Sequence, residues 1–298
     1  PRGHPDSPGR LEALAAGLAG AGLLERMVPL AFSPAPPEVL AWVHEPAYVE
    51  LVRLACQQDL GFLGSRDTPI SPESEPAARL AAGGVLAACD AVAQGRIDRA
   101  FCAVRPPGHH AEPDRAGGFC LFNHAALAAE RLRRTHGLPR VAIVDWDVHH
   151  GQGTQRIFEQ RPDVLYVSLH QSPETLYPGT GRADERGTGA GEGFTLNVPM
   201  PAGAGDAEYR RAFADQVLPA LEAFAPGCIV ISAGFDAAAA DGTADIRLTP
   251  DAFAWMTRAL AGVAGRHGAG RMVSVLEGGY EPASLARCAV AHVAELLK

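Results

Sequence analysis

The chain has 298 residues, of which 47% are hydrophobic and 20% are charged, a composition typical of a globular protein. It carries 26 lysine and arginine residues against 34 aspartate and glutamate residues, and the formal net charge of -8 argues against a surface that binds nucleic acid through phosphates. No apolar run approaches the length of a membrane span, and the start resembles neither a signal peptide nor a transit peptide. We therefore expect no direct nucleic-acid partner and no membrane partner.

The six cysteines are scattered, without a C-x-x-C pair, and several lie in apolar stretches where buried thiols are common. This pattern predicts a reducing, cytoplasmic environment. The first residue is not Met, which predicts that residues precede Pro1 in the full protein. The cysteines are Cys56, Cys89, Cys102, Cys120, Cys228 and Cys288.

Five short apolar segments rich in β-branched residues predict central strands, because a parallel strand covered on both faces is continuously hydrophobic. They end at Val104, Val144, Leu169, Ser232 and Leu276. Helical periodicity is found at 76–94, 123–136, 206–224 and 250–266. Alternating strands and helices predict a three-layer α/β fold with a mostly parallel central sheet and helices on both faces, in one domain over 1–298.

Two helix starts have recognisable signals. Asn123 can cap the helix that begins there. Thr249 precedes Pro250, which fits the first helical position, and Asp251 follows in the first turn.

Each predicted strand is followed at once by a polar or glycine-rich cluster. Ligands of open parallel sheets bind outside the carboxyl ends of the strands, so we expect these clusters to converge on one site although they lie far apart in sequence. In chain order the clusters are RPPGHH, DWDVHHG, His170-Gln171, AGFD and EGGY.

The DWDVHHG cluster has the spacing of metal ligands. Asp145, Asp147 and His149 alternate and share one face of an extended segment. With Asp236, the residues Asp147 and His149 supply three ligands and leave a coordination position open, as catalytic zinc sites do. Such an oxygen-rich set also admits Fe²⁺ or Mn²⁺. A capped strand end with solvated acids would explain a single aspartate, but it explains the D-x-D-x-H-H pattern poorly.

Two further groups acquire roles beside a metal. His109 and His110 follow the stiff turn Pro106-Pro107-Gly108, and one imidazole can take a proton from activated water while the other stabilises developing charge. Tyr280 follows two glycines and can donate a hydrogen bond to an oxyanion. Away from a metal, paired histidines and a lone tyrosine are more often packing residues.

With these residues the chain resembles the histone deacetylase family, including its bacterial deacetylase and acetoin-utilisation-type members, within the arginase-like α/β fold. The similarity spans nearly the whole chain in ordered motifs. These are HPDSPGR at 4–10, DTPISP at 67–72, RPPGHHA at 105–111, GFCLFN at 118–123, DWDVHHGQGTQ at 145–155, YPGTG at 177–181, SAGFDA at 232–237 and EGGY at 277–280.

The resemblance implies a zinc-dependent deacetylase acting on acetylated lysine of peptides or proteins, or on a similar acetylated small amine. It implies that Asp147, His149 and Asp236 bind Zn²⁺, that His110 is the general base and then acid, and that Asp145 orients His109 as an electrostatic partner. Tyr280 would polarise the acyl carbonyl. A homo-oligomer remains open.

The resemblance also implies a tunnel, an inner ion site and an inner channel. Gly118, Phe119 and Tyr177 would form the walls of the acyl-lysine tunnel. K⁺ or Na⁺ would bind Asp145, Asp147 and Ser168 together with backbone oxygens of His149 and Leu169, and Arg10 would line the channel through which acetate leaves.

Several positions depart from the family pattern. Gln152 stands where members carry Asp or Asn beside the second histidine, and its amide can still accept a hydrogen bond. The usual first strand before HPDSPGR is absent from the sequence, which predicts that an N-terminal strand is missing.

Three alternatives stay open. A ureohydrolase with two Mn²⁺ ions needs a second carboxylate two residues after Asp236, where the chain has Ala238. An acetylpolyamine deacetylase would carry Glu at the tunnel rim, at the position of Thr243, although a loop shift would bring Asp241 or Asp245 there instead. The third alternative is an inactive homologue that only binds acyl-lysine.

Overall fold

A computed structural model describes residues 3–298, and in that part of the chain it contains one six-stranded sheet. The strands are β1 (Arg99–Cys102), β2 (Val141–Asp145), β3 (Val164–Gln171), β4 (Thr195–Met200), β5 (Cys228–Ala233) and β6 (Met272–Leu276). Their order across the sheet is β1-β6-β5-β2-β3-β4, and every neighbouring pair is parallel.

Helices precede, connect and follow the strands. Those before the sheet are α1 (Gly9–Gly20), α2 (Pro37–Leu40), α3 (Pro46–Gln57) and α4 (Ser74–Ala93). Those within and after it are α5 (His124–Arg134), α6 (Gln152–Phe158), α7 (Asp206–Ala212), α8 (Leu218–Phe224), α9 (Pro250–His267) and α10 (Pro282–Leu296).

The central strands are apolar along their whole length because each face of the sheet is covered. In β2, Ala142 and Val144 lie in a cluster that includes side chains of α1, α9 and α10. Val141 and Ile143, which point the other way, lie in a second cluster with side chains of α3, α4 and α5. The three-layer α/β architecture predicted from the sequence is confirmed.

All five predicted strands form, with ends that differ by up to two residues. A sixth strand, β4, was not predicted. Its sequence TLNVPM is interrupted by Asn197 and Pro199, and two of its six residues are only partly buried. Because β4 is an edge strand, it tolerates a proline and needs no continuous apolar run.

Both predicted helix starts form. The side-chain oxygen of Asn123 accepts from the backbone N–H of Ala126 at 2.9 Å, which confirms the cap of α5. Pro250 begins α9 as predicted, but the hydroxyl of Thr249 does not cap that helix. It donates instead to Asp206 Oδ2 at 2.6 Å.

The segment predicted as one helix over 206–224 contains an interruption. A five-residue π-helical turn over Phe213–Val217 separates α7 from α8. Pro219 has no N–H to offer the carbonyl four residues earlier, at Asp215, so the backbone widens there.

The expectation that no apolar segment approaches the length of a membrane span is corrected at α4. Its 20 residues are long and apolar enough to cross a membrane by length and composition alone. This helix packs on α5 and β1, and more than half of it is buried.

The strand order reverses between β2 and β5, and this is where crevices form in open parallel sheets. Asp145, the last residue of β2, pairs in register with Ser168 on one side and Ser232 on the other. The polar clusters after β2, β3, β5 and β6 therefore meet at one edge.

Candidate active site

The predicted metal ligands come together. Asp147, His149 and Asp236 each offer an atom such that all three lie within 4.8 Å of one another. Nδ1 of His149 lies 3.0 Å from Asp147 Oδ1 and 3.3 Å from Asp236 Oδ2. Asp147 and Asp236 are fully buried, and His149 is largely so.

Backbone donors fix both carboxylates and leave one oxygen free. The N–H of Val148 donates to Asp236 Oδ1 at 3.0 Å, and the N–H of Gly278 donates to Asp147 Oδ2 at 2.8 Å. Among the described residues, Oδ2 of Asp236 is one of few buried side-chain oxygens without a hydrogen-bond partner. A buried oxygen without a donor is costly unless a cation binds it, so the site fits a metal ion.

Two glycines make room for this cradle. A methyl group on Gly278 would lie 2.1 Å from Asp236 Oδ2, and one on Gly234 would lie 2.2 Å from Asp147 Oδ2. Any side chain at either position would push into the carboxylates. The glycines of AGFD and EGGY are therefore required for the ligands to approach each other.

The carboxylates of Asp147 and Asp236 stabilise positive charge at the predicted metal site. Burial disfavours a charged imidazole, but the hydrogen bond to Asp147 and the negative charges of Asp147 and Asp236 outweigh it and raise the pKa of His149 to about 10. Burial and the neighbouring Asp147 raise the pKa of Asp236 to about 6. The same two carboxylates would stabilise a divalent metal ion, which would need His149 in its neutral form.

His109 and His110 have opposite electrostatic environments. Burial opposes the charged form of His109, but Asp145 and Asp147 outweigh it and raise its pKa to about 10. Its Nδ1 lies 3.0 Å from Asp145 Oδ2. Burial, with the positive charges of His109 and His149, holds the pKa of His110 well below its usual range. One imidazole is thus cationic and the other is neutral and able to accept a proton.

Gln152 determines which nitrogen of His110 carries the proton. Its amide nitrogen donates to the carbonyl of His110 at 3.3 Å, so its oxygen faces His110 Nδ1 at 2.7 Å. An amide oxygen only accepts, and therefore Nδ1 donates and Nε2 is left with a free lone pair. The departure from the family pattern at Gln152 preserves this hydrogen bond.

Tyr280 lies at the turn after β6. Its backbone N–H donates to Asp241 Oδ2 at 2.6 Å, and its ring meets the ring of Phe119 edge-on at 5.6 Å. Burial raises the pKa of Tyr280 well above its usual range. The hydroxyl therefore remains a hydrogen-bond donor at neutral pH.

Arg10 is fully buried beneath this turn. Its Nε donates to the carbonyl of Gly279 at 2.6 Å, and its two terminal nitrogens bond the carbonyl of Glu277 and, at 2.8 Å, Asp6 Oδ1. The guanidinium carbon lies 4.8 Å from the centre of the Tyr280 ring. The structure thus gives Arg10 a role in holding the tyrosine turn.

Two of the predicted tunnel residues, Gly118 and Tyr177, lie next to His110. A methyl group on Gly118 would lie 2.2 Å from His110 Cδ2, so this position must be glycine. Tyr177 meets His110 edge-on at 5.1 Å and is 45% exposed, which places it at an opening to solvent. The N–H of Phe119 donates to Thr68 Oγ1 at 3.2 Å.

Thr243 is exposed, and its hydroxyl bonds Asp241. Both alternative rim acids have other partners. Asp241 accepts from the backbone N–H groups of Tyr280 and Glu281, and Asp245 pairs with Gln171 through a backbone bond of 2.8 Å and a side-chain bond of 3.2 Å.

Two residues of the predicted inner ion site, Asp145 and Ser168, lie side by side on neighbouring strands. Asp145 and Ser168 are register partners, and both are fully buried, as is Leu169. His170 Nε2 donates to the carbonyl of Gly181 at 2.8 Å, so its Nδ1 accepts the Ser168 hydroxyl proton at 2.8 Å. The lone pairs of Ser168 remain available to a cation.

Two residues of the site were missed by the sequence analysis. Glu277 Oε2 accepts from the N–H groups of Gly108 and His109, at 2.6 and 3.1 Å, and so holds the paired-histidine turn. The hydroxyl of Tyr166 donates to Asp145 Oδ2 at 3.0 Å. Glu277 could have been found from the sequence because it is a charged residue at the end of an apolar strand, whereas nothing distinguishes Tyr166 from other strand residues.

Comparisons with known proteins agree with this site. The model of the histone deacetylase domain matches residues 4–296. The chain belongs to the histone deacetylase family. A crystal structure of the HDA15 HD domain superposes with a TM-score of 0.94 at 43% identity, covering 99% of this chain and 82% of that one. The chain therefore has the deacetylase fold.

Similar curated proteins carry deacetylase names. A histone deacetylase-like amidohydrolase of Pseudomonas aeruginosa is 45% identical over 294 residues, covering 99% of this chain and 77% of that protein. Histone deacetylase 15 of Arabidopsis thaliana is 44% identical over 297 residues, and the human polyamine deacetylase HDAC10 is 41% identical over 301 residues. These two matches cover 99% and 98% of this chain. They cover 53% and 44% of the two relatives, so the chain spans about half of their length.

Proposed function

We propose that the chain is a zinc-dependent deacetylase that hydrolyses the amide of N-acetyl-lysine in a peptide or protein and releases acetate. The observation that carries this proposal is the group of Asp147, His149 and Asp236 beside His110, whose Nδ1 faces the side-chain oxygen of Gln152. Family membership and the deacetylase and amidohydrolase names of the relatives support it.

Asp147, His149 and Asp236 would hold the zinc ion. Bound there, Zn²⁺ supplies a Lewis acid and lowers the pKa of a water molecule to about 7. The unpartnered Oδ2 of Asp236 supports this assignment, and the mixed nitrogen and oxygen donors also suit Fe²⁺. We assign K⁺ or Na⁺ to the inner site around Asp145 and Ser168.

The side chains around the metal divide the proton transfers. His110 takes a proton at Nε2 from the attacking water and later delivers it to the leaving amine. His109, held positive by Asp145, stabilises the negative charge that develops nearby. Tyr280 donates its hydroxyl hydrogen to the acyl oxygen as that oxygen becomes negative.

The cleft suits an unbranched, apolar stem. Gly118 lets His110 pack against its backbone, and the rings of Phe119 and Tyr177 can cover the four methylenes of an acylated lysine. Thr243 carries no charge to select the secondary ammonium of an acetylpolyamine, and Asp241 already accepts from the backbone N–H groups of Tyr280 and Glu281. We therefore favour acyl-lysine over acetylpolyamine.

A substrate panel on the zinc-loaded protein tests the proposal. Turnover of acetyl-lysine peptide should exceed that of acetylspermidine and acetylputrescine. The reverse preference would identify a polyamine deacetylase, and an intact protein that hydrolyses no acyl amide would be an acyl-lysine binder. Bound metal near one ion per chain is expected, whereas two Mn²⁺ ions per chain would indicate a ureohydrolase.

We also propose a cytoplasmic location. All six cysteines are buried free thiols, as a reducing compartment allows.

A further inference from the structure

A polar cluster lies behind the loop that carries Tyr177, outside the site described above. It consists of Glu185 and Thr180 on that loop, His150 after the metal ligand His149, Gln155 in α6 and Asn197 in β4, and it is called here the Glu185 cluster. His150 and Asn197 are almost fully buried.

The carboxylate of Glu185 closes its own loop and attaches it to α6. The N–H of Gly181 lies 3.1 Å from both of its oxygens, and the N–H of Arg182 donates to Oε1 at 3.0 Å. The side-chain nitrogen of Gln155 donates to Oε2 at 2.8 Å. Three donors therefore converge on one carboxylate.

This carboxylate fixes the direction of every hydrogen bond in the cluster. An ionised carboxylate only accepts, so the amide nitrogen of Gln155 must face it and the amide oxygen must face His150 Nε2, at 2.9 Å, and Asn197 Nδ2, at 2.7 Å. His150 Nε2 is thus the donor, and its Nδ1 accepts the hydroxyl hydrogen of Thr180 at 2.8 Å. Glu185 and Thr180 lie at the two ends of this series of hydrogen bonds, so the loop is held at both residues.

The Glu185 cluster packs against the part of the loop that follows Tyr177. Gly181, four residues later, is packed so closely that an added methyl group would lie 2.5 Å from His170 Nε2 and 2.6 Å from His150 Cγ. Tyr177 itself is 45% exposed, and its ring lies 5.1 Å from His110 and 6.4 Å from His149. Its position over these rings therefore depends on where the loop is held.

We propose that Glu185 is a positioning residue that sets how closely Tyr177 covers the acyl stem of the substrate. This inference rests on the proposed deacetylase function for its kinetic consequence only. Glu185 bonds none of the metal-ligand side chains, so its loss should weaken substrate binding and leave the chemical step intact.

Glu185→Gln is the sharpest single change because it preserves shape and replaces one acceptor with a donor. Whichever way the new amide turns, its NH₂ group faces either Gln155 Nε2 or the backbone N–H groups of the loop. Loss of one charge-assisted hydrogen bond corresponds to about a tenfold rise in KM for an acetyl-lysine peptide. We expect kcat within about twofold and unchanged zinc content. Glu192→Gln, at an exposed carboxylate on the same segment, is the matched control and should change neither constant.

The reciprocal double variant Gln155→Glu with Glu185→Gln should restore KM. The carboxylate at 155 would accept from His150, Asn197 and the new amide, and the amide oxygen at 185 would accept from the loop. Hydrogen exchange without substrate gives a second measurement: amides 179–185 should lose protection in Glu185→Gln and regain it in the double variant.

The outcomes separate the two proposals. If the parent protein hydrolyses no acyl amide, the deacetylase function fails, and hydrogen exchange still decides whether Glu185 holds the loop. Unchanged exchange in Glu185→Gln would overturn the positioning role. So would lost protection with an unchanged KM, or a parallel fall in kcat and zinc content, which would indicate a general structural role.

Discussion

The contribution of Tyr280 can be tested by removing a single oxygen atom. Tyr280→Phe keeps the ring that meets Phe119 and the backbone bond to Asp241, so fold and metal content should be preserved. Loss of one oxyanion donor typically lowers kcat about 100- to 1,000-fold. Steady-state kinetics with metal analysis of the same sample checks this expectation, and a full rate in the variant would disprove the oxyanion role.

Asp236 can be tested by removing its charge alone. In Asp236→Asn an amide oxygen can still accept from the N–H of Val148, so the backbone stays held, but an uncharged NH₂ group, which cannot bind a cation, replaces the oxygen that lacks a protein donor. We expect zinc affinity to fall at least about tenfold, as measured by competition with a chelating dye. Asn123→Ala, described below, is an informative comparison because it should lower stability without lowering zinc affinity.

Most residues of the site were predictable because chemistry-bearing side chains follow apolar strands. Asp147, His149 and Asp236 were identified from their spacing and their place after strands, and the structure brings them together. Glu277 and Tyr166 were not identified, since their roles come from contacts with residues more than 20 positions away in sequence. Glu277 had only the local signal of a charged residue at the end of an apolar strand, and Tyr166 had none.

At the scale of elements, α5 offers a direct test of a predicted cap. Asn123→Ala removes the acceptor for Ala126 N–H and the donor bonds to Thr154 Oγ1 and the Ala111 carbonyl, at 3.0 and 3.2 Å. A lost cap costs about 1 kcal/mol, and buried groups left without partners add about 1–3 kcal/mol. Urea denaturation should show a fall of roughly 2–4 kcal/mol. Thr249→Ala should cost less, because the Thr249 hydroxyl caps no helix and bonds only Asp206.

The elements missed by the sequence analysis share a physical cause. β4 lies at the sheet edge, so its residues need not be continuously apolar, and Asn197 and Pro199 disguise it. The π-helical turn at Phe213–Val217 depends on the single missing N–H of Pro219 within an otherwise helical pattern. Hydrophobic periodicity shows which faces of a helix or strand are buried. It does not show whether a strand lies at a sheet edge or which carbonyl each helical N–H bonds.

At the scale of the whole molecule, a parallel sheet with both faces covered determines where chemistry can occur. Its carboxyl ends are the one place where polar residues from distant segments can meet without entering the core. Here the strand order reverses between β2 and β5, and Asp145, Asp147 and Asp236 lie at or just after the carboxyl ends of these two strands. Fold and site were therefore predictable together, whereas the loop that carries Tyr177 required the structure.

The same burial makes the stability of the molecule depend on pH. Burial lowers the pKa of His44, His124 and His170 to about 4 and that of His292 to about 3. Each folded pKa lies below the unfolded value of about 6.5, so the unfolded chain takes up protons first as pH falls. The stabilising contribution is complete above pH about 6.5 and is lost as pH decreases towards 4.

We expect the free energy of unfolding of the metal-free protein to fall by about 1 kcal/mol per pH unit for each of these histidines below pH about 6.5. His292→Gln isolates one of them, because its ring nitrogens contact only the hydroxyls of Thr257 and Ser274, at 2.6 and 2.8 Å. Urea denaturation at pH 7.5, 6.5 and 5.5 should show a decline that is shallower by about one proton in this variant. His267→Gln, at a partly exposed histidine beside Glu222, is the control for the loss of a histidine that is not buried. Equal slopes in the parent and His292→Gln would show that His292 is protonated in the folded state, contrary to its burial.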